Sequence, residues 1–197
     1  NAGANYTIPA LTPYKLTGSS TDIDGTSTHT YTWEQYDLGP AGLPEEINTS
    51  GPLVRSFEGT DSPVRYIPRM SDILTLGGIS TTWEKLASVN RSINYRLTVR
   101  DNDPVGGQTA VDAMTATVNA AAGPFVVTSQ NTQGITWLTG ETQTITWDVA
   151  GTTANGVNTA NVNILLSTDG GQNFDTVLAS NVPNDGSHDI IVPNVFG

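Results

Sequence analysis

The sequence predicts an all-β protein, and three observations carry the prediction. Only 14% of the 197 residues are charged, and the polarity comes instead from Thr, Ser, Asn and Gly. Thr suits a pleated surface, while Asn and Gly suit tight turns. Next, the apolar residues alternate with a period of two, most clearly at Ile93, Tyr95, Leu97 and Val99. Finally, Gly and Pro punctuate the chain at short intervals, too often for long helices. Disorder is a poor reading, because charge density is low and four Trp and six Tyr need somewhere to pack.

Taken in order, Tyr6-Thr7-Ile8-Pro9 reads as a short edge strand and Tyr14-Lys15-Leu16-Thr17 as the next. A turn follows at Asp22-Ile23-Asp24-Gly25. Residues 29–36 alternate, with Tyr31 and Trp33 on one face and Thr30, Thr32 and Glu34 on the other. Residues 39–63 carry Gly39, Gly42, Gly51 and Gly59 with Pro40, Pro44, Pro52 and Pro63, the composition of loops and short edge strands. Val64 to Ile67 is a strand stopped by Pro68. The stretch from Met70 to Ser92 has no clear period, and Thr82 to Val89 could form a turn or two of helix. Ile93 to Val99 is the strongest strand in the chain, ending at Asp101-Asn102-Asp103-Pro104, and Ala110 to Val118 closes the set. Six or seven short strands with a buried Trp on the third suggest an immunoglobulin-like sandwich.

Asn119-Ala120-Ala121-Ala122-Gly123-Pro124 ends a strand and restarts the chain, as a short linker should. Domain one is therefore expected at 1–120, a linker at 121–124 and domain two at 125–197. In domain two, Phe125-Val126-Val127, Thr144 to Val149, Val162 to Ser167 and Asp189 to Val192 read as strands. Asp169-Gly170-Gly171 reads as a hairpin turn in which Gly supplies positive φ. About five strands are too few to close a sandwich, so domain two is expected to lack its last strands.

Composition excludes several functions. A formal net charge of -11, with eight Lys and Arg in all, cannot neutralise a row of phosphates, which argues against nucleic-acid binding. No apolar run approaches the roughly 18 residues of a membrane span. Zero Cys removes disulfides, thiol catalysis and Cys-ligated zinc, and His29 and His188 are too far apart for a zinc-binding HExxH helix. Neither GxSxG nor a phosphate-binding glycine loop is present. Glu45-Glu46 and the other carboxylates are not placed across a cleft by anything in the sequence. No catalytic residues are expected.

If domain one is immunoglobulin-like, the turn at Asp22 to Asp24 is its B–C loop and Asp101-Asn102-Asp103 its F–G loop, which emerge at one end of such a sandwich. The fold would then gather Asp22, Asp24, Asp101, Asn102 and Asp103, with Glu34 or a backbone carbonyl completing a shell. Carboxylates that close repel unless a cation sits among them, and calcium, with six to eight oxygen ligands, is the expected extracellular choice. The competing reading is that each cluster makes only its own turn, since Asp and Asn bond their own backbone two residues on. Trp33 and Trp147 lie in alternating strands and are expected in the core, whereas Trp83 and Trp137 sit in irregular sequence and could be exposed to stack on sugar rings. Ser167-Thr168-Asp169-Gly170-Gly171-Gln172-Asn173-Phe174 resembles the Asp-box hairpin of sialidase-like propellers, whose role is structural.

Further segments carry a wider resemblance. Leu16-Thr17-Gly18-Ser19, Asp22-Ile23-Asp24-Gly25, Tyr31-Thr32-Trp33-Glu34-Gln35 with Gly39-Pro40, and the run from Ile93 to Asn102 look like a PKD/Ig-like module. Gly123-Pro124-Phe125, Thr146 to Thr152 and Leu166 to Gly171 look like the module that follows it. Together, over almost the whole chain, they resemble the non-catalytic region of secreted bacterial reprolysin-like zinc metallopeptidases. The resemblance implies a secreted or cell-surface location, a zinc-bearing catalytic domain upstream in the same polypeptide, and a spacing, docking or substrate-presenting role toward an extracellular protein. It also implies two further strands after Gly197. An extracellular adhesion or carbohydrate-binding module is the rival expectation.

Overall fold

The computed structural model describes residues 1–195. Strands take up 36% of the chain and helix 4%, so the protein is all-β. It divides into two compact units, Asn1–Ala120 and Ala121–Gly197.

In unit 1 the long alternating run forms β5 (Arg91–Arg100), following β1 (Tyr6–Pro9), β2 (Tyr14–Thr17), β3 (Thr30–Gln35) and β4 (Val64–Ile67), and β6 (Thr109–Asn119) comes next. One sheet has the order β1-β6-β5-β3, with β5 antiparallel to both neighbours and β1 parallel to β6. The other is the antiparallel pair β2-β4. Ile93, Tyr95, Leu97 and Val99 point inward from β5 and meet Trp33, Met114 and Val118 from its own sheet and Leu16 and Ile67 from the other. Burial of one such aliphatic side chain is worth about 1.5–3 kcal/mol, which makes this cluster the main source of unit 1's stability.

The segment from Met70 to Ser92 differs from expectation. The helix is α1 (Met70–Leu76), a surface turn with no buried residue, which ends where Gly77 takes φ 72°. Residues 82–89 form no helix. Thr81 Oγ1 accepts the Trp83 and Glu84 amides, and Arg55 and Lys85 then exchange backbone bonds with Trp83 and Leu53. The segment therefore lies across Val54 as a β-bridge with its hydrogen bonds spent on another part of the chain.

Unit 2 is built from β7 (Val126–Val127), β8 (Thr142–Asp148), β9 (Asn161–Leu166), β10 (Thr176–Pro183) and β11 (Ser187–Ile191). They form the sheets β11-β8-β7 and β10-β9, both antiparallel. Strand β10 has no counterpart among the strands expected from the sequence: its pairing with β9 slips register twice and Asn181 has φ 55°, so its apolar residues do not alternate cleanly. Ile145, Trp147, Ile164, Val182, Ile190 and Val192 form a separate, smaller core. No helix of the described residues is long and apolar enough to cross a membrane.

Candidate functional site: an acidic loop end of unit 1

The register of unit 1 decides which loops meet. Thr30 opposes Arg100, and Arg100 opposes Thr109, so the loop entering β3 and the loop joining β5 to β6 leave the sheet at the same end. A direct bond ties them: Asn102 Nδ2 donates to the Thr28 carbonyl at 2.8 Å and to Thr30 Oγ1 at 3.0 Å. Asn102 holds φ 54°, a conformation Asn tolerates better than most residues.

Near that tie Asp22 and Asp24 interact directly, and the charge of Asp103 on the facing loop reaches Asp24. The two neighbouring carboxyls split their titration, Asp24 being raised and Asp22 lowered, chiefly by their interaction with each other. Asp103 adds to the raised value of Asp24 through its negative charge. The β5–β6 loop uses its own carboxylates as turn acceptors. Asp101 Oδ1 accepts the Gln108 amide at 2.7 Å and the Asp103 amide at 3.3 Å, and Asp103 Oδ1 accepts the Val105 amide at 2.6 Å. That is the Asx-turn chemistry of the competing reading.

Glu34 is not brought there. It lies on β3 opposite Arg96, four residues along from Thr30, which is about 13 Å of extended strand. Its Oε1 instead accepts a hydrogen bond from Ser56 Oγ at 3.2 Å. Its place in the expected shell is corrected by strand geometry. Among the described residues no group of three or more His, Cys, Asp or Glu side chains stands assembled to hold a metal ion.

His29, which sequence reasoning set aside, proves central to this end. It is 5% exposed. Its Nδ1 shares a hydrogen bond with Ser20 Oγ at 2.7 Å, and Ser20 Oγ shares another with Tyr31 Oη at 2.7 Å. Asp22 Oδ2 lies 3.6 Å from Nε2. His29, Asp22 and Asp101 line a cleft of about 320 Å³. The only sequence signal was position: His29 sits two residues before Tyr31 on the same inward face of the strand run.

The aromatic expectations divide. Trp33 and Trp147 are buried, at 3% and 6% exposure. Trp83 is 51% exposed, with the Arg55 guanidinium 5.2 Å from its ring centroid. Trp137 is half-buried against the core of unit 2. It lines an apolar cleft of about 580 Å³ that follows β9 from Asn161 to Leu166. The Ser167–Phe174 hairpin closes as its motif implies, with Ser167 Oγ 2.7 Å from Asp169 Oδ1 and positive φ at Gly170 and Gly171. Phe174, the aromatic that ends the motif, stays 41% exposed.

No family model matches this chain, and no curated protein or solved structure matches it either.

Proposed function

We propose that the chain is a non-catalytic accessory region of a secreted metallopeptidase, two immunoglobulin-like β-sandwiches in tandem that space, dock or present substrate to a catalytic domain of the same polypeptide. The observation that carries this reading is the strand order of unit 1. Lettered as an immunoglobulin sandwich, β1-β6-β5-β3 reads A′-G-F-C, the facing pair β2-β4 reads B-E, and the buried Trp33 falls on strand C. Such sandwiches offer rigid, two-ended modules, which suits a spacer. In unit 2, β9 pairs with β10 on one edge while an apolar cleft follows it, which supports an incomplete sandwich with room for a further strand beside β9. At the loop end of unit 1, the neighbouring Asp22 and Asp24 carboxyls, beside Asp101-Asn102-Asp103 on the loop that Asn102 ties to Thr28, support a bound cation that stiffens the module, calcium being the expected ion.

The test pairs two binding measurements on the purified chain. Binding to insoluble collagen without signal on a glycan array supports the peptidase accessory. Glycan binding that is lost in Trp83→Ala replaces it with the carbohydrate-binding reading, which the half-exposed Trp83 beside Arg55 favours.

A further inference from the structure

The cleft at the loop end of unit 1 receives a buried polar atom that the fold leaves without a partner. His29 Nε2 has no hydrogen bond, although its side chain is only 4% exposed. The ring is not free to turn and find one, because Nδ1 is held by Ser20 Oγ at 2.7 Å and the ring lies tilted against Tyr31, 6.3 Å between centroids. When Nδ1 carries the proton and donates to Ser20 Oγ, and the Ser20 hydroxyl in turn donates to Tyr31 Oη, Nε2 is left with a bare lone pair. This is the arrangement that orients a metal-binding imidazole from behind.

The nearest charged atom to that lone pair is Asp22 Oδ2, at 3.6 Å. That is too long for a hydrogen bond. It matches the spacing of two ligand atoms each about 2.1 Å from one ion and subtending an angle of roughly 120°. The other Asp22 oxygen is already taken by the Ile23 amide at 2.7 Å, which fixes the carboxylate with Oδ2 toward His29.

We propose that His29 Nε2 and Asp22 Oδ2 are two ligands of a zinc-class divalent cation, with the adjoining Asp24 carboxylate the third and water from the cleft completing the site. The inference rests on the reading of this loop end as a cation site and changes the ion. Calcium takes oxygen ligands, whereas an imidazole nitrogen beside a carboxylate suits zinc and its first-row neighbours. The β5–β6 loop is not needed for the site: among the described residues no contact from Asp101 or Asp103 to His29 is seen, and both carboxylates serve as acceptors within their own turn. Asp24 is the residue that must move. It lies exposed on the loop beside Asp22, and the three ligands are not preassembled.

The experiment is titration of the tag-free, EDTA-treated chain with zinc, calcium and magnesium separately, read by calorimetry and by the imidazole nitrogen shifts of His29. His188 serves as the internal control. One zinc per chain is expected, with a shift at His29 Nε2, binding weakened at least tenfold in Asp22→Asn and lost in His29→Gln. Asp22→Asn changes a loop residue, so it keeps the test open if His29→Gln fails to fold. Zinc binding that both variants retain, or no change at His29 Nε2 in millimolar zinc, overturns the proposal. A calcium response that needs Asp101, with none to zinc, overturns it while leaving the cation reading in place. Silence toward all three ions removes both.

Discussion

The Arg65 guanidinium donates to the Glu84 carboxylate at 2.8 Å, and the second carboxylate oxygen accepts the Arg69 backbone amide at 2.8 Å. Glu84 is fully buried, and the Arg65 side chain is 11% exposed. The pair joins β4 to the segment that bridges Val54, which is how an irregular stretch becomes part of the core. Three Arg side chains, Arg55, Arg65 and Arg69, also lie within 5.9 Å of the Phe57 ring, so the pair sits in a cationic collar on an acidic protein.

Breaking that pair leaves a buried cation without its counter-charge. Glu84→Gln should therefore destabilise the fold by about 3–5 kcal/mol in urea unfolding. The double replacement Arg65→Met with Glu84→Leu should cost less than either single change, because it removes both desolvated charges together. A Glu84→Gln variant within about 1 kcal/mol of the parent would show that the pair is solvated.

Asn184 plays the matching role in unit 2. Its Oδ1 accepts Trp147 Nε1 at 2.8 Å, and its Nδ2 donates to Thr152 Oγ1 at 2.9 Å and the Thr159 carbonyl at 3.0 Å. Asn184→Ala strands these groups in the interior, at about 1–3 kcal/mol for each left unsatisfied. Guanidinium unfolding followed through unit 2 resonances should move by at least about 2 kcal/mol. An unchanged midpoint would mean that water replaces the amide.

The strands were legible wherever alternation met a single buried face. Ile93, Tyr95, Leu97 and Val99 are such a case, each buried on the face the pattern assigns. Leu16 and Ile67 were placed on strands by the turn residues around them. The helix was not legible, because α1 buries nothing and so leaves no apolar period to find. Strand β10 was hidden by its register slips. At the candidate site, the carboxylates of the two loops were legible from turn chemistry and loop pairing. His29 was not, because its meaning depends on Ser20, Tyr31 and Asp22, which only the fold brings around it. Glu84 was missed for the same reason: a lone Glu in irregular sequence does not announce a partner 19 residues away.

Gly18 marks a close approach of backbone to core. A Cβ built there would lie 2.4 Å from Leu97 Cδ2 and 3.2 Å from Trp33 Cζ2. Both neighbours are buried and cannot swing into solvent. Gly18→Ala should cost about 1–3 kcal/mol through overpacking, and Gly18→Ala with Leu97→Val should recover part of it. A thermal melt of the single variant equal to the parent would show that Leu97 has room to yield.

The hairpin at Asp169 makes a prediction about acid. The Asn173 amide, the Ser167 hydroxyl and the Asn173 side-chain amide all donate to the Asp169 carboxylate and hold its pKa down to about 2. In an unfolded chain the same group titrates near 3.8. Because the folded value is the lower, the charged form is favoured by folding. Its contribution to stability is fully present above pH 3.8 and disappears as pH falls toward 2, where both states become protonated. The side chain is exposed and salt screens it, so the effect belongs to the hairpin rather than to the whole fold. Carboxyl carbon shifts of Asp169 followed from pH 5 to pH 1.5 should give a midpoint near 2, and Asp169→Asn should flatten the acid limb of the stability curve between pH 2 and 4. A midpoint near 3.8 would show that the donors from Asn173 and Ser167 do not close on the carboxylate in solution.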